Sequence, residues 1–233
     1  TSGTLSVDMT LDNGERRAGT KPVEVALISP EGETVATQTA FVDYTAADRQ
    51  KDFSVEIPVS GLTLWTAETP VLYTVAIRQM NESDAEEMAF STRYGFRDVR
   101  ISDGVVLING KSVFFKGVNT QDTHPLHGRS IDVETMLKDI VLMKQANVNL
   151  LRTSHMPRQP KMYAMMDYYG MYCMDESDVE CHFNWEQSGN TISSAKTWRP
   201  QFIDRTIRMV QRDRNHPAVL FWSLGNESGV GAN

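Results

Sequence analysis

The sequence has few cysteines, no long apolar run and no excess of positive charge. Its 233 residues include only Cys173 and Cys181, which are too few for a disulfide framework. No apolar run approaches the roughly 20 residues that a membrane-spanning helix needs. The formal net charge of −7 argues against a nucleic-acid partner, because proteins that bind nucleic acid carry basic patches. We therefore expect a soluble protein whose partners are neither nucleic acid nor a membrane.

The first residues also lack an initiator methionine and a secretion signal. TSGTLSVDMT has neither the basic start nor the apolar stretch of a signal peptide. We expect the chain to be an internal piece of a longer protein. Its compartment stays open between the cytoplasm and the periplasm.

Residues 1–100 carry strand patterns that are separated by turn signals. The predicted strands are TLSVDMTL, PVEVALIS, TVATQTAFV, FSVEIPV and VLYTVAIRQM. Short strands at this spacing predict an immunoglobulin-like β-sandwich. This half has no cluster of histidines, cysteines or carboxylates that is typical of catalysis, so a structural or spacer module is its simplest interpretation.

Residues 101–233 begin with a hairpin signal, Asn109-Gly110, and then alternate strands with helices. The predicted strands are SVFFKGVN, NLLRTSH, MYCMDES and AVLFWSLGN, and the predicted helices are IDVETMLKDIVLMKQAN, PKMYAMMDYYG and QFIDRTIRMVQRDRN. The strands are nearly continuous in apolar residues, as in parallel sheets covered on both faces. The order βαβαβαβ fits either a Rossmann-type sheet or a (β/α)8 barrel.

The three helices have recognisable ends and faces. The first has apolar residues at helical spacing, which are Val133, Met136, Leu137, Ile140 and Val141. We expect Asp132 to cap its first turn and Gly170 to end the second helix. In the third helix, Ile203, Ile207 and Val210 are expected to form the inner stripe.

Polar residues follow the carboxyl end of each predicted strand. They lie in the ranges 119–122, 152–155, 175–180 and 226–227. No GxGxxG or P-loop motif follows any strand, so a dinucleotide or nucleotide site has no sequence support. Catalytic groups at the carboxyl ends of successive strands are typical of (β/α)8 barrels. We therefore predict the first half of a TIM barrel over residues 101–233.

Several segments resemble the β-galactosidase branch of glycoside hydrolase family 2. They are GVNTQDTHPLHGRSID, LLRTSHMP, MDESDVECH and DRNHPAVLFWSLGNESGVGAN. The resemblance implies retaining hydrolysis of terminal β-D-galactosides by double displacement, which needs two carboxyl groups roughly 5–5.5 Å apart. It also implies that the chain is the central fragment of a parent enzyme, and that this parent is homo-oligomeric.

The resemblance assigns roles to individual residues. Glu227 matches the general acid/base and Asn226 matches a residue that binds the sugar 2-hydroxyl, while His155 matches a residue that contacts the galactose hydroxyls. The nucleophile is expected on the seventh strand of the barrel, beyond this chain, so the fragment alone is expected to be inactive. Arg152 is expected to orient Glu227 or its partner.

The resemblance also implies a Mg2+ site formed by Glu180, His182 and Glu227. Glu180 and His182 are two residues apart, so their side chains leave an extended segment on the same side, with Cys181 pointing away. The substrate contacts differ from the family pattern at one place, because Gln121 replaces a histidine, whereas Asp122 keeps a carboxylate. We include Gln121 and Asp122 among the expected substrate-binding residues.

Other interpretations stay open. Another activity of the same family, β-glucuronidase or β-mannosidase, is the first alternative, although GNESGVGAN favours the galactosidase branch over one with an Asn-Glu-Pro ending. A non-catalytic carbohydrate-binding or scaffold fragment is the second. Trp185 and Trp198 could stack on a sugar or anchor a loop. His124, His127 and His216 are expected to be structural.

Overall fold

A computed structural model describes residues 1–81, 83, 85–182, 191–229 and 231–233. The chain divides into two compact units. The first comprises Thr1–Leu64 and Val71–Phe96, and the second comprises Trp65–Pro70 and Arg97–Asn233. In the described ranges, no helix is both long enough and apolar enough to cross a membrane.

The first unit is a β-sandwich of two antiparallel sheets. Its strands in the described residues are β1 (Gly3–Asp12), β2 (Gly19–Ile28), β3 (Thr34–Tyr44), β4 (Gln50–Val59), β5 (Tyr73–Met80) and β6 (Glu86–Tyr94). β1 pairs with β4, and the other sheet has the order β3-β2-β5-β6. Inward-facing apolar residues of both sheets form one core, which includes Val25, Leu27, Ile57 and Val75.

The five strands predicted for this unit are all present, but β6 was not predicted. β6 lies at the edge of its sheet and is exposed along almost its whole length. Met88, Phe90 and Tyr94 recur at the two-residue spacing of a strand, but Met88 and Phe90 are both exposed. A buried side chain also organises a turn of this unit. The Asn13 side-chain amide donates hydrogen bonds to the carbonyl groups of Arg17, Thr45 and Asp48 at 2.9–3.1 Å.

The second unit starts with a small antiparallel sheet formed by β7 (Val99–Ser102), β8 (Val105–Ile108) and β9 (Lys111–Ser112). The turn between β8 and β9 is the predicted Asn-Gly hairpin. Asn109 and Gly110 both have positive φ, 52° and 77°, which is the conformation that this residue pair favours in two-residue hairpins. The predicted strand over residues 112–119 is shorter in the structure, since β10 spans only Gly117–Thr120.

Four parallel strands form the centre of the second unit. They are β10, β11 (Leu150–Thr153), β12 (Tyr172–Glu176) and β13 (Val219–Ser223), in this order across the sheet. The connecting helices are α1 (Val133–Gln145), α2 (Pro160–Tyr169), the short α3 (Thr191–Ser194) and α4 (Arg199–Asp213), with a 3-10 turn at Lys196–Trp198. The predicted βαβαβαβ order is confirmed, with the short α3 added before α4.

The ends of α1 and α2 match the sequence predictions. The Asp132 carboxylate accepts a hydrogen bond from the Thr135 amide at 2.8 Å, and Gly170 ends α2 in the left-handed conformation. Of the predicted α1 stripe, Met136 and Ile140 are buried.

The prediction for the buried face of α4 was wrong. Ile203 and Ile207 are exposed, Val210 is only partly buried, and the buried residues of this helix are Met209 and Asp213. The helix has apolar residues on a wide arc, and spacing alone does not show which side of that arc packs on the sheet.

The segment Trp65–Pro70 belongs to the second unit, although it precedes the last strands of the first. Trp65 is fully buried and its indole N–H donates a hydrogen bond to the carbonyl of Asp167 at 2.9 Å. The Lys144 ammonium group donates to the carbonyl groups of both Ala67 and Gly170. Through these contacts the segment packs against the ends of α1 and α2.

A buried polar cluster lies between the parallel sheet and its helices. The Asp175 carboxylate accepts hydrogen bonds from the Tyr163 hydroxyl at 2.6 Å and from the Thr153 hydroxyl at 3.2 Å. The neighbouring Asp213 is also fully buried, and the Arg212 guanidinium group donates to both of its oxygens, at 2.8 and 2.7 Å. Burial and the nearby Asp213 carboxylate raise the pKa of Asp175 to about 7.

Candidate active site

The carboxyl ends of the four parallel strands gather polar side chains at one edge of the sheet. The strand register aligns Asn119 with Arg152, and it aligns Glu176 with Ser223. Because neighbouring strands are about 4.8 Å apart, side chains at these positions can contact one another across the edge. The contacts described below all lie within the second unit.

The fully buried Glu176, at the end of β12, is the centre of this group. One of its carboxylate oxygens accepts hydrogen bonds from the Arg152 guanidinium group and the Ser223 hydroxyl, each at 2.7 Å. The other oxygen is 2.8 Å from Nδ1 of His155. Its backbone N–H donates to the Thr153 hydroxyl at 2.9 Å. Three strands, β11, β12 and β13, thus converge on this residue.

The charge of Glu176 follows from these partners. Burial acts to raise its pKa, but the hydrogen bonds from Arg152, Ser223 and His155 together outweigh burial, so the net shift of the pKa is downward. Glu176 is therefore ionised at neutral pH, and it holds Arg152 and His155 by charge-assisted hydrogen bonds.

Arg152 links Glu176 to Asn226. Its guanidinium group donates to the side-chain oxygen of Asn226 at 2.9 Å, and also to that of Asn119 at 3.3 Å. Since a guanidinium group only donates, the Asn226 oxygen must face Arg152 and the Asn226 NH2 group must face away. That NH2 group donates to the Glu180 carboxylate at 2.8 Å, and among the described residues its second N–H has no acceptor. Arg152 thus orients Asn226, the residue next to Glu227.

The backbone around Asn226 is fixed by Gly225. Gly225 has a φ of 138°, and a Cβ atom built there would lie 2.5 Å from the carbonyl oxygen of Val179. The Asn226 amide donates to that same carbonyl at 2.8 Å. Glu227 follows with a positive φ of 41°. This backbone conformation is costly for a residue other than glycine, and residues that adopt it cluster at functional sites in proteins. Its side chain is 41% exposed at the edge of the sheet.

The structure brings the three predicted metal ligands together. Nε2 of His182 lies 3.0 Å from the Glu227 carboxylate, and Nδ1 of the same ring lies 3.8 Å from the Glu180 carboxylate. Glu180 and His182 are exposed while Cys181 is buried, so the expected alternation of side chains is confirmed.

The donor types suit a divalent cation, but the arrangement does not form a metal site. The imidazole ring lies between the carboxylates and turns a different nitrogen to each, whereas a shared cation requires all three groups to face one point. Among the described residues, no group of three histidine, cysteine, aspartate or glutamate side chains converges in this way. The side chain of His182 is 65% exposed.

The structure also places the predicted substrate-binding residues at this edge. His155 follows β11, and its donation through Nδ1 to the ionised Glu176 leaves Nε2 as the nitrogen that can meet a ligand. Gln121 is exposed just beyond β10. Asp122 is partly buried and forms an ion pair with the buried Arg158 at 3.4 Å.

Some predicted residues lie elsewhere. His216 contacts the Asp167 carboxylate at 2.5 Å, and His124 stacks on His127 in the loop after β10. The structural role expected for these histidines stays a prediction. Trp198 is exposed at the start of α4, and Trp185 lies outside the described residues.

The sequence analysis did not single out Glu176. Asp175 and Glu176 are adjacent, so alternation along the strand points one side chain to the face covered by the helices and the other to the opposite face, without showing which. A useful signal was nevertheless present, because a carboxylate inside a nearly continuous apolar strand is rarely buried without charged partners.

Comparison with known proteins agrees with this architecture. The family model "Glycosyl hydrolases family 2, TIM barrel domain" matches residues 99–233, and the model "Glycosyl hydrolases family 2" matches residues 1–97. A solved glycosyl hydrolase family 2 member from Bacteroides cellulosilyticus is 26% identical with a TM-score of 0.84. The match covers 100% of this chain and 30% of that chain.

Two β-glucuronidases are also similar. The enzyme from Bifidobacterium dentium, complexed with coumarin-3-O-glucuronide, is 26% identical with a TM-score of 0.79, over 97% of this chain and 34% of that chain. The enzyme from Ruminococcus gnavus, in complex with D-glucaro 1,5-lactone, is 27% identical with a TM-score of 0.76, over 89% of this chain and 33% of that chain. The chain thus spans about a third of the length of these proteins. Since the two family models together match nearly every residue, the chain belongs to glycosyl hydrolase family 2, with the sandwich domain and part of the TIM barrel domain of that family.

Proposed function

We propose that this chain is part of a retaining β-glycosidase in which Glu227 is the general acid/base. The observation that carries the proposal is the placement of the Asn226–Glu227 pair at the carboxyl end of β13. There Gly225 fixes the backbone, Arg152 orients the Asn226 amide, and Glu227 has a costly backbone conformation. Family membership supports the same reaction class.

The geometry suggests how the residues share the reaction. Glu227 would protonate the glycosidic oxygen as the bond breaks, and would later deprotonate the attacking water. The free N–H of Asn226 would donate to the sugar 2-hydroxyl, and Nε2 of His155 would meet another hydroxyl. The nucleophile is the second carboxylate of a double displacement, and we expect it on a later strand of the barrel.

A neutral sugar, a β-D-galactoside, is the substrate that we propose. Three arginines at this edge already face carboxylates, because Arg152 pairs with Glu176, Arg158 with Asp122 and Arg205 with Asp178. A sugar that carries its own carboxylate would compete with these internal partners, whereas neutral hydroxyls would not. The ending GNESGVGAN favours the same branch of the family.

A β-glucuronide is the second candidate. It is favoured by the similarity to the β-glucuronidases from Bifidobacterium dentium and Ruminococcus gnavus, at 26% and 27% identity. The test compares kcat/KM of the full-length protein for an aryl β-galactoside and the matching aryl β-glucuronide. We expect the galactoside to be preferred. The reverse order would replace the substrate and leave the role of Glu227 intact, while no turnover of either would favour the non-catalytic carbohydrate-binding alternative.

The acid/base role is tested with Glu227→Gln in the full-length protein. Because acid assistance matters most for poor leaving groups, we expect kcat/KM to fall by roughly 10²–10⁴-fold on a poor leaving group and far less on an activated aryl glycoside. The exposed Asp178, at the same edge, provides the control Asp178→Asn, which should keep both activities. Equal losses on both substrates in Glu227→Gln would refute the acid/base role.

Mg2+ binding by Glu180, His182 and Glu227 stays a prediction. It requires the His182 ring to rotate, so that one nitrogen faces the point shared by the two carboxylates. Calorimetric titration of Mg2+ into the full-length protein should show a site that Glu180→Gln weakens, and an unchanged titration would remove Glu180 from it. Homo-oligomerisation is likewise a prediction, which light scattering on the full-length protein would check.

A further inference from the structure

We propose that Glu176 is a positioning residue of this site, which sets the orientation of Asn226 through Arg152 and that of His155 directly. Glu176 would contact no reacting atom. The proposal extends the function proposed above, since it depends on that function for its kinetic test, but its geometric consequences can be measured independently.

The burial of Glu176 is the first argument. Glu176 is fully buried, and desolvation strongly disfavours a buried carboxylate that lacks compensating partners, so an ionised one is rarely retained without paired charges. The donors on Glu176 come from the two neighbouring strands and the residues next to them, with Arg152 in β11, His155 just after β11 and Ser223 in β13. Two of these three partners are residues that face the proposed substrate side.

Two sets of contacts, called arms here, start at Glu176. The first arm runs from Glu176 through Arg152 to Asn226 and orients Asn226. Glu176 and Asn226 contact the same guanidinium group, at 2.7 and 2.9 Å. The planar guanidinium group has fixed donor directions, so fixing it on Glu176 also fixes the direction in which it donates to Asn226. That contact decides which end of the Asn226 amide faces Arg152, and therefore where its N–H groups point.

The second arm is the direct contact between Glu176 and His155, which orients the imidazole ring. Its Nδ1 lies 2.8 Å from the ionised carboxylate, which selects the tautomer with the proton on Nδ1 and holds the ring plane. Nε2 then becomes the only ring nitrogen that can meet a sugar hydroxyl. A single carboxylate thus fixes both the amide and the imidazole that would contact the substrate.

The adjacent Asp175 provides a matched control. It is equally buried and lies on the same strand, but its side chain points to Tyr163 and Thr153 rather than to Arg152. Asp175→Asn therefore removes a buried carboxylate one residue away without touching either arm. Glu176→Gln removes the charge at the centre of both arms and keeps the side-chain shape.

The kinetic test uses the full-length protein with an aryl β-glycoside that the wild type hydrolyses and the matching 2-deoxy glycoside. We expect Glu176→Gln to lower kcat/KM for the parent glycoside by roughly 10²-fold, because misplaced binding groups cost about that much. The preference for the parent over the 2-deoxy compound should shrink, since the contact with the 2-hydroxyl depends on Asn226. Asp175→Asn should keep both quantities within about twofold of the wild type. An unchanged preference in Glu176→Gln would overturn the proposal.

A crystal structure of full-length Glu176→Gln provides the readout that does not depend on activity. We expect the Arg152 guanidinium group or the His155 ring to move from its wild-type place, and an unmoved pair would overturn the proposal. If the wild type hydrolyses no aryl glycoside, the proposed function fails and this structural result still decides the role of Glu176. If Glu176→Gln does not fold, Ser223→Ala removes one hydrogen bond to the same carboxylate. A smaller shift of the 2-deoxy preference in the same direction is then expected, and no shift would refute the positioning role.

Discussion

Replacing Asp175 by asparagine should remove a pH dependence from the stability of the second unit. Asp175 has a raised pKa, about 7 against an ordinary 3.8, chiefly because it is buried and also because Asp213 lies beside it. One of its oxygens, Oδ2, is buried and reached by no N–H or O–H donor among the described residues. A proton between the two carboxyl groups would satisfy that oxygen, and Arg212 already holds Asp213 through both of its oxygens.

The sign and size of the effect follow from linkage. Between pH values of about 4 and 7 the folded protein holds a proton on Asp175 that the unfolded chain has released, so the stabilisation is lost as the pH rises through 7. At 1.36 kcal/mol for each unit of pKa difference, the free energy of unfolding should fall by about 2.5 kcal/mol between roughly pH 5 and pH 8 from this group alone.

Asparagine mimics the protonated carboxyl group. Its oxygen can accept from Tyr163 and Thr153 while its NH2 group donates to Asp213, and none of these contacts titrates. The free energy of unfolding of Asp175→Asn should therefore depend less on pH than that of the wild type. The difference between the two, variant minus wild type, should increase by about 2.5 kcal/mol from roughly pH 5 to pH 8.

Urea unfolding followed by tryptophan fluorescence measures this difference, because all four tryptophans of the chain belong to the second unit. The exposed Asp204 on α4 provides the control Asp204→Asn, which changes the charge equally and should leave the slope unaltered. If the free energies of unfolding of the wild type and Asp175→Asn change equally with pH, the folded protein holds no extra proton on Asp175.

Three further predictions concern other parts of the molecule. Gly225→Ala should place a methyl group against the Val179 carbonyl and lower kcat/KM by about 10²-fold, whereas Gly104→Ala, at a positive φ of 77° with open space around it, should cost about 1 kcal/mol of stability and no activity. Trp65→Ala should lower the free energy of unfolding of the second unit by about 4 kcal/mol in urea titrations, and a loss below about 1 kcal/mol would contradict its core role. Asn13→Ala should destabilise the first unit by about 2–4 kcal/mol, measured by far-ultraviolet circular dichroism, and Asn13→Asp should not restore it because a carboxylate donates no hydrogen bond.

Local sequence patterns predicted where helices and strands lie better than they predicted which of their faces are buried. Strand alternation located β1 to β5, and capping and helix-ending residues located the ends of α1 and α2, because these signals act over a few residues. The edge strand β6 was missed although Met88, Phe90 and Tyr94 recur at strand spacing, and the structure leaves Met88 and Phe90 exposed. The buried side of α4 was predicted wrongly because the choice between Ile207 and Met209 is made by the sheet beneath the helix rather than by the helix sequence.

In the candidate active site, too, the local motif was found from the sequence and the residue defined by distant contacts was missed. The motif around Asn226 and Glu227 was visible as a string of letters, and the structure gathers Glu180 and His182 beside it. The centre of the hydrogen-bond network, Glu176, was missed because its importance comes from residues 24 and 47 positions away in the chain, Arg152 and Ser223. Only the parallel register of β11, β12 and β13 brings these residues together.

The inclusion of Trp65–Pro70 in the second unit has a consequence for the order of folding. Trp65 and its partner Asp167 are separated by 102 residues, so the contact cannot form until α2 has been synthesised. At typical translation rates of about 5–20 residues per second, the indole emerges roughly 5–20 s before its partner. During that interval a large apolar side chain is without its native environment, which is the condition under which chaperones bind nascent chains. A chain cut at residue 97 would lack this side chain altogether, and its barrel portion would have to fold around a missing core residue.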